Sequence, residues 1–265
     1  MATIIAGALK LEPWVGARAA MLAIAFATVA YFPTLAVADT ATAAGTVPAG
    51  APVPARASEL PPALTEYMGR KIAPAMSFHG GGASWLLRKM REQEEGTTTL
   101  IPQLGLKAGM TVCDLGSGNG YHSLMMARMV APHGRILAVD IQQEMLDQLK
   151  ERATQSKIEN VEPVLGEVHD PHLPPNSCDL VLMVDVYHEF SHPEHMLGAI
   201  RKALKPDGRV ALVEFRGEDP DVPIKPEHKM TKAQILKEWL PNGFELAEQF
   251  DKLPWQHLMF FKRKP

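Results

Sequence analysis

Asp114-Leu115-Gly116-Ser117-Gly118-Asn119-Gly120, entered from the apolar run Met110-Thr111-Val112-Cys113, decides how this chain is read. An acidic residue closes a buried strand, and three alternate glycines follow it into a helix. Such a loop lets the backbone approach a ligand more closely than any Cβ would allow. It is a loop for a nucleotide-type ligand. The dinucleotide fingerprint G-x-G-x-x-G calls for glycine or alanine one step further on, where this chain has Tyr121.

Outward from that loop, from residue 63 onward, short apolar runs alternate with segments of helical period, the βαβ signature of a mostly parallel sheet. Strands are expected over 111–115, 135–139, 161–165, 179–184 and 209–214. The helix that opens near Asn119 is expected to turn Leu124, Met125 and Met129 inward, and the next one Met145, Leu146, Leu149 and Ala153. A helix over about 193–204 is expected to stop at the turn Lys205-Pro206-Asp207-Gly208. After an irregular stretch, a helix over 231–240 leads to two apolar runs, 244–250 and 257–261. Residues 63–100 are expected as helices packed ahead of the sheet. There Gly80-Gly81-Gly82 beside Trp85 reads as a lid, and Glu92, Glu94 and Glu95 as a solvated helix face.

The pattern D-x-G-x-G-x-G resembles the first motif of the class I S-adenosylmethionine-dependent methyltransferases. The second strand ends at Asp140, 20 residues after Gly120, where an acidic side chain accepts ribose hydroxyls. An N-cap role for Asp140 ahead of Ile141-Gln142-Gln143-Glu144 is the competing reading, and the two are compatible. Gly166-Glu167-Val168 with Leu173-Pro174 and Cys178-Asp179 is similar to the family's adenine-binding segment, with a longer stretch between Val168 and Leu173. The closing helix and strand pair is similar to the family's antiparallel insertion. The resemblance implies an α/β, doubly wound Rossmann-like seven-stranded sheet with an antiparallel last strand, plus N-terminal helices. It also implies S-adenosylmethionine as cofactor. The residues it assigns to that cofactor are Asp114, Gly116, Ser117, Gly118, Gly120, Asp140, Ile141, Glu167, Val168 and Asp185, the last at the methionine end.

At the end of the fourth strand, where the family places residues facing donor and acceptor, stand Tyr187, His188 and Glu189. These are the candidate catalytic residues, with His188 the proton acceptor because imidazole titrates near neutrality. A structural hydrogen bond at the following helix is the alternative for His188. Beyond the fifth strand, Arg216, Lys225, His228 and Lys229 either grip an anionic acceptor or decorate a solvated loop. His169, Asp170 and His172 have loose spacing and read as loop polarity, so no metal is expected. Methyl transfer from a sulfonium is an in-line displacement that needs positioning more than acid–base machinery.

The 265 residues allow one catalytic domain, expected over 63–265, and 27 basic against 30 acidic residues give a net charge of −3. No nucleic-acid partner is expected from that balance. The expected partner is a small-molecule acceptor, with the oligomeric state open. In residues 1–38, Lys10 and Arg18 precede an apolar stretch and then Leu35-Ala36-Val37-Ala38, the order of a secretory signal cleaved after Ala38. An uncleaved membrane anchor is the alternative. Both readings put the domain outside the cytosol, in the periplasm of a bacterium; a buried helix over the same residues would leave it cytoplasmic. Residues 39–62, rich in Ala, Pro, Gly and Thr, read as a flexible linker. Cys113 and Cys178, on neighbouring parallel strands and near opposite ends, are expected as free thiols. Because the cofactor is made in the cytosol, a non-catalytic module binding S-adenosylmethionine or its demethylated product stands as the alternative function. A nicotinamide dehydrogenase is disfavoured by Tyr121 and the terminal strand pair.

Overall fold

The computed structural model describes residues 60–264. The expected signal segment and residues 39–59 of the expected linker lie outside them. Among the described residues, no helix is long and apolar enough to cross a membrane.

Strands β1 (Thr111–Leu115), β2 (Arg135–Asp140), β3 (Val161–Leu165), β4 (Cys178–Val184) and β5 (Leu204–Arg216) pair in parallel in the order β3-β2-β1-β4-β5. β6 (Phe244–Phe250) and β7 (Gln256–Arg263) extend the sheet, with β7 antiparallel to both β5 and β6 and lying between them. The family-like sheet is therefore present, and the two residues Lys229–Met230 add a short parallel pairing at the end of β5. Pro163 sits in β3, which pairs only with β2 and so tolerates a missing N–H.

Period-two alternation sends the strands' side chains to two cores. Val112, Ile136, Ala138, Leu180, Leu182, Ala211, Val213, Leu258 and Phe260 face one way. They pack on α2 (Thr97–Gln103), α3 (Tyr121–Val130) and Leu149 of α4 (Gln143–Gln155). Cys113, Leu137, Val139, Val181, Met183, Leu212, Met259 and Phe261 face the other way, onto α5 (Pro193–Ala203) and α6 (Lys232–Trp239). Strand order reverses between β1 and β4, so the crevice beyond their carboxyl ends is the switch point at which such sheets bind ligands.

Several expectations are corrected. In α3, Met125 and Met129 are 36% and 40% exposed, whereas Ser123, Met126, Ala127 and Val130 are buried with Leu124. The inward stripe is built on small residues, Ser123 and Ala127, which let the helix lie close to the sheet; a reading by hydrophobic size favours the methionines. Residues 205–208 do not end in a free turn but lie within β5, where Leu204 opposes Cys178 and Arg209 opposes Leu180, so the extra residues form a bulge. Glu66–Tyr67 and Arg70–Lys71 form a small hairpin ahead of the helices. Cys113 opposes Val181, three residues along β4 from Cys178, and both thiols are buried and free.

Among the hairpin's ties to the body is a buried carboxylate. Glu238 of α6 has no exposed side-chain area and accepts from Arg70 Nε at 2.7 Å and Nη2 at 3.1 Å, from the Tyr187 hydroxyl at 2.8 Å and from Gln234 at 2.7 Å. Removing the cation strands the charge. Arg70→Met is expected to lower unfolding free energy by about 3–5 kcal/mol in chemical denaturation; a loss under about 1 kcal/mol would show that the ion pair does not anchor the hairpin.

Candidate active site

The ends of β1, β2 and β4 open into one cavity of about 940 Å³. Its floor is the glycine loop. The amides of Gly116 and Ser117 both donate to Val139 O at 2.9 Å, which binds the loop to β2. Gly116 and Gly118 have φ of 75° and 51°, and a Cβ on Gly116 would come within 2.5 Å of Val186, while one on Gly118 would overlap Leu86. Both backbone conformation and space therefore demand glycine.

Of the two roles weighed for Asp140, the N-cap is corrected, because Gln142 holds the N-cap position of α4 and no side chain caps that helix. Asp140 Oδ2 accepts from Gly118 N at 2.8 Å and its Oδ1 from Gln142 N at 2.9 Å, so it ties the glycine loop to the residue ahead of α4 while it faces the cavity. Burial pushes its carboxyl up, and those backbone amides hold it back. Ile141, Glu167 and Val168 line the cavity beside it and are exposed at its mouth. Glu167 lies 3.4 Å from His169 and 3.7 Å from His172, so those two histidines surround a cavity carboxylate.

The remaining glycine-loop candidates are structural supports. Asp114 is buried behind the loop and accepts from Ser123 Oγ at 2.5 Å. Gly120 packs on Leu149, and Ser117 is buried with its hydroxyl unpaired. None of the three lines the cavity.

The segment ahead of α1 (Arg91–Glu95) covers the loop. Gln142 bridges to it, accepting from Phe78 N at 2.8 Å and donating to Met76 O at 2.9 Å, while Asn119 donates to Ala83 O at 2.8 Å. Met76, Trp85 and Leu86 thereby reach the cavity wall. Of the acids expected on a solvated face, Glu95 is instead buried on that wall, with Arg91 and Arg88 each 2.6 Å away. Two guanidinium groups explain why a carboxylate is tolerated there.

At the other end, Asp185 follows β4 with φ of 53°. Its Oδ2 accepts from Gln256 at 2.7 Å and its buried Oδ1 has no partner. Burial, with Glu95 and Glu214 adding like charge, pushes its carboxyl well up. His188 is buried on the cavity wall with Nδ1 2.6 Å from Glu214 Oε2, and Glu214 has no exposed side-chain area. Glu214 Oε1 also accepts from the amides of Tyr187 at 2.9 Å and His188 at 3.3 Å. Nδ1 therefore carries a proton toward Glu214, and Nε2 turns to His228 Nδ1 at 3.1 Å and Glu189 Oε1 at 4.0 Å. Burial opposes charge on His188, but Glu214 outweighs it and the imidazole is shifted upward. Burial raises the Glu189 carboxyl to about 7. Burial and the neighbouring His188 lower His228.

Tyr187 is corrected. It is fully buried off the cavity, its hydroxyl spent on Glu238 and its ring packed edge-on against Phe190 and Trp239. The short 3-10 turn Tyr187–Glu189 points successive side chains in different directions, so three adjacent polar residues do not share a wall. Of the basic loop residues, Arg216 is spent on backbone oxygens of Asp251, Leu253 and Pro254, and Lys229 on those of Asp219 and Val222. Lys225 and His228 reach the cavity.

Over residues 106–258 the chain matches the family described as "Methyltransferase domain". It is 31% identical over 122 residues to the arsenite methyltransferase of Halobacterium salinarum, an overlap of 45% of this chain and 31% of that protein. It is 29% identical over 115 residues to the ubiquinone/menaquinone biosynthesis C-methyltransferase UbiE of Pseudomonas putida, 42% of this chain and 44% of that protein. The chain thus spans less than half the length of these curated relatives. A SAM-dependent methyltransferase structure from Aquifex aeolicus superposes with a TM-score of 0.65 at 24% identity, over 70% of this chain and 98% of that one. The [4+2]-cyclase SpnF superposes with a TM-score of 0.54 at 17% identity, over 64% and 81%. At such identities the likeness concerns the fold alone.

Burial raises Asp114 from 3.8 to about 6 against the opposing pull of Ser123 and Arg91, with Asp140 adding like charge. A carboxyl with a raised folded-state pKa binds more protons in the native state, so stability falls as pH rises from about 4 to about 6. The loss is about 3 kcal/mol. Asp114→Asn is expected to flatten that part of the stability profile in denaturation measured across this pH range; an unchanged slope would place the titration elsewhere.

Proposed function

The chain belongs to the class I S-adenosylmethionine-dependent methyltransferases, and we propose that it moves a methyl group from that cofactor to a small acceptor held against His188, Glu189 and His228. One observation carries this reading. Gly116, Gly118 and Asp140 line the same cavity as His188, Glu189 and His228.

The residues present fit the cofactor. Gly116 and Gly118 leave bare backbone that any side chain would fill, and Asp185 offers a buried oxygen without a partner. In this reading Asp140 holds the ribose hydroxyls, Ile141 and Val168 the adenine faces, Glu167 the adenine amino group, and Asp185 the cationic amino-acid end. The bound cofactor supplies a methyl group already activated on a sulfonium. The chain orients the acceptor in line with it and keeps water out, with Met76, Trp85 and Leu86 overhead. Where the acceptor's nucleophile carries a proton, His188 takes it at Nε2. Glu214 fixes the ring and stabilises the charge that develops.

A volume of about 940 Å³ lies at the upper end for small-molecule sites and leaves space for both ligands. The acceptor side is apolar, with Ile72, Phe190, Met196, Phe215 and Ile224, except where His188, Glu189, His228 and Lys225 meet. That pairing suits an apolar body bearing one ionisable hydroxyl or thiol. The names of the two relatives, one for arsenite and one for carbon methylation in quinone biosynthesis, do not choose an acceptor. A purely binding role gives no work to a histidine anchored at Nδ1 and turned at Nε2 to His228 on the cavity wall.

Calorimetric titration with S-adenosylhomocysteine is expected to show binding by wild type. Gly118→Val and Asp140→Ala are expected to lose it with unchanged circular dichroism. Absence of binding by wild type would overturn the proposal. With labelled methyl donor and a panel of small phenols and thiols, His188→Gln is expected to lower kcat by roughly 10²–10⁴-fold. Its affinity for S-adenosylhomocysteine should stay within about threefold of wild type, since His188 stands on the acceptor wall; an unchanged kcat would remove His188 from the chemistry.

A further inference from the structure

Three donor atoms of the kinds that bind zinc converge on the acceptor wall. His188 Nε2, His228 Nδ1 and a Glu189 carboxylate oxygen all lie within 4.8 Å of one another. The first two are 3.1 Å apart, and His188 Nε2 is 4.0 Å from Glu189 Oε1. Around a tetrahedral ion with bonds of about 2.0–2.2 Å, neighbouring donors stand about 3.3–3.5 Å apart. The two separations fall on either side of that range, and the third pair stands within 4.8 Å. The donors come from two short 3-10 turns, Tyr187–Glu189 and Pro226–His228.

The surroundings are those of a ligand set rather than a chance pair. Metal-bound histidines hand their other ring N–H to a carboxylate, which fixes the tautomer and raises the ligand's basicity. Glu214 does this for His188 at 2.6 Å. The backbone of the same turn is held from outside, because His188 O accepts from Arg70 Nη1 at 2.9 Å and from Ala73 N at 3.1 Å. Three protein donors with the remaining side open to a cavity is the pattern of zinc sites that keep a position for substrate.

We propose that His188, Glu189 and His228 seat one divalent transition-metal ion of the zinc class, with its open position toward the acceptor pocket. The seat stands on geometry alone; its use rests on the methyl-transfer reading above. An acceptor hydroxyl or thiol binds the ion through oxygen or sulfur, its O–H or S–H bond breaks, and the proton passes to solvent. The anion left on the ion then attacks the methyl carbon, forming the new O–C or S–C bond as the methyl–sulfur bond breaks and its electron pair stays on the sulfur of the released S-adenosylhomocysteine. His188 Nε2 has one lone pair, so it serves as base in the metal-free protein or as ligand in the loaded one, never both. Loading also moves the His228 proton from Nδ1 to Nε2.

The test uses untagged full-length protein stripped with a chelator and dialysed against Zn²⁺ or Co²⁺. Wild type is expected to retain one equivalent, with visible Co²⁺ bands of low-coordinate geometry and a changed His228 tautomer in nitrogen NMR. His228→Ala and Glu189→Gln, both at less buried positions than His188, are expected to weaken binding at least tenfold. Glu214→Gln should weaken it roughly 10–100-fold, whereas His172→Ala on the distant loop should not. No retention by wild type, or retention unchanged in His228→Ala, overturns the seat. Titration of S-adenosylhomocysteine on the same samples separates the two proposals. Metal retained without nucleoside binding removes the methyl-transfer reading and keeps the seat; nucleoside binding without metal retention keeps that reading and removes the seat.

Discussion

A carboxylate with no exposure to water, Glu214 on β5, governs the site. Removing such a group from solvent costs several kcal/mol unless hydrogen bonds and a counter-charge replace the water. Here two backbone amides and an imidazole do so, and in satisfying the charge they fix the chain's course after β4 and the tautomer of His188. The same charge repels its neighbours' ionisation. Burial raises the carboxyls of Asp185 and Glu189, and like charge at Glu214 adds to the rise of both. One buried negative charge thus holds one histidine in register and favours the neutral form of two other carboxyls on the cavity wall.

The nucleoside side depends on a second carboxylate in a different way. Asp140 draws Gly118 toward β2 through one oxygen and holds the Gln142 amide, ahead of α4, through the other, so the floor of the cavity and its edge are set by a single side chain. Gln142, two residues on, then carries the geometry upward by gripping Phe78 and Met76. Loop, strand end and covering segment form one hydrogen-bonded unit, and the apolar contacts of Trp85 and Leu86 close it.

Much of this was legible in the sequence because it is local. A strand that ends in an acid before alternate glycines, and a second acid 20 residues after the last of those glycines, can be read without knowing the fold. The strand pair at 244–250 and 257–261 was legible for the same reason. What escaped was set by tertiary packing. Nothing at Tyr187 shows that its hydroxyl belongs to Glu238, 51 residues away, nor does the sequence show that His228 returns to His188 across 40 residues. Glu95 reads as solvated until Arg88 and Arg91 are seen on it. In α3 the buried stripe runs through Ser123 and Ala127, whose smallness, not their hydrophobicity, is what the interface uses. The one available hint at His228 was its place on the loop after β5, at the ligand-facing edge of the sheet.

The place of β7 bears on how the chain is made as well as on how it stands. β7 is an interior strand, flanked by β5 and β6, although it follows both in the sequence. Until residues 256–263 have left the ribosome, β5 and β6 have no common partner, and each presents an open edge to whatever lies nearby. Gln256, which holds Asp185, is the first residue of that strand. Closure of the sheet and the anchoring of Asp185 therefore arrive together with β7, and a nascent chain stalled before that strand would carry neither.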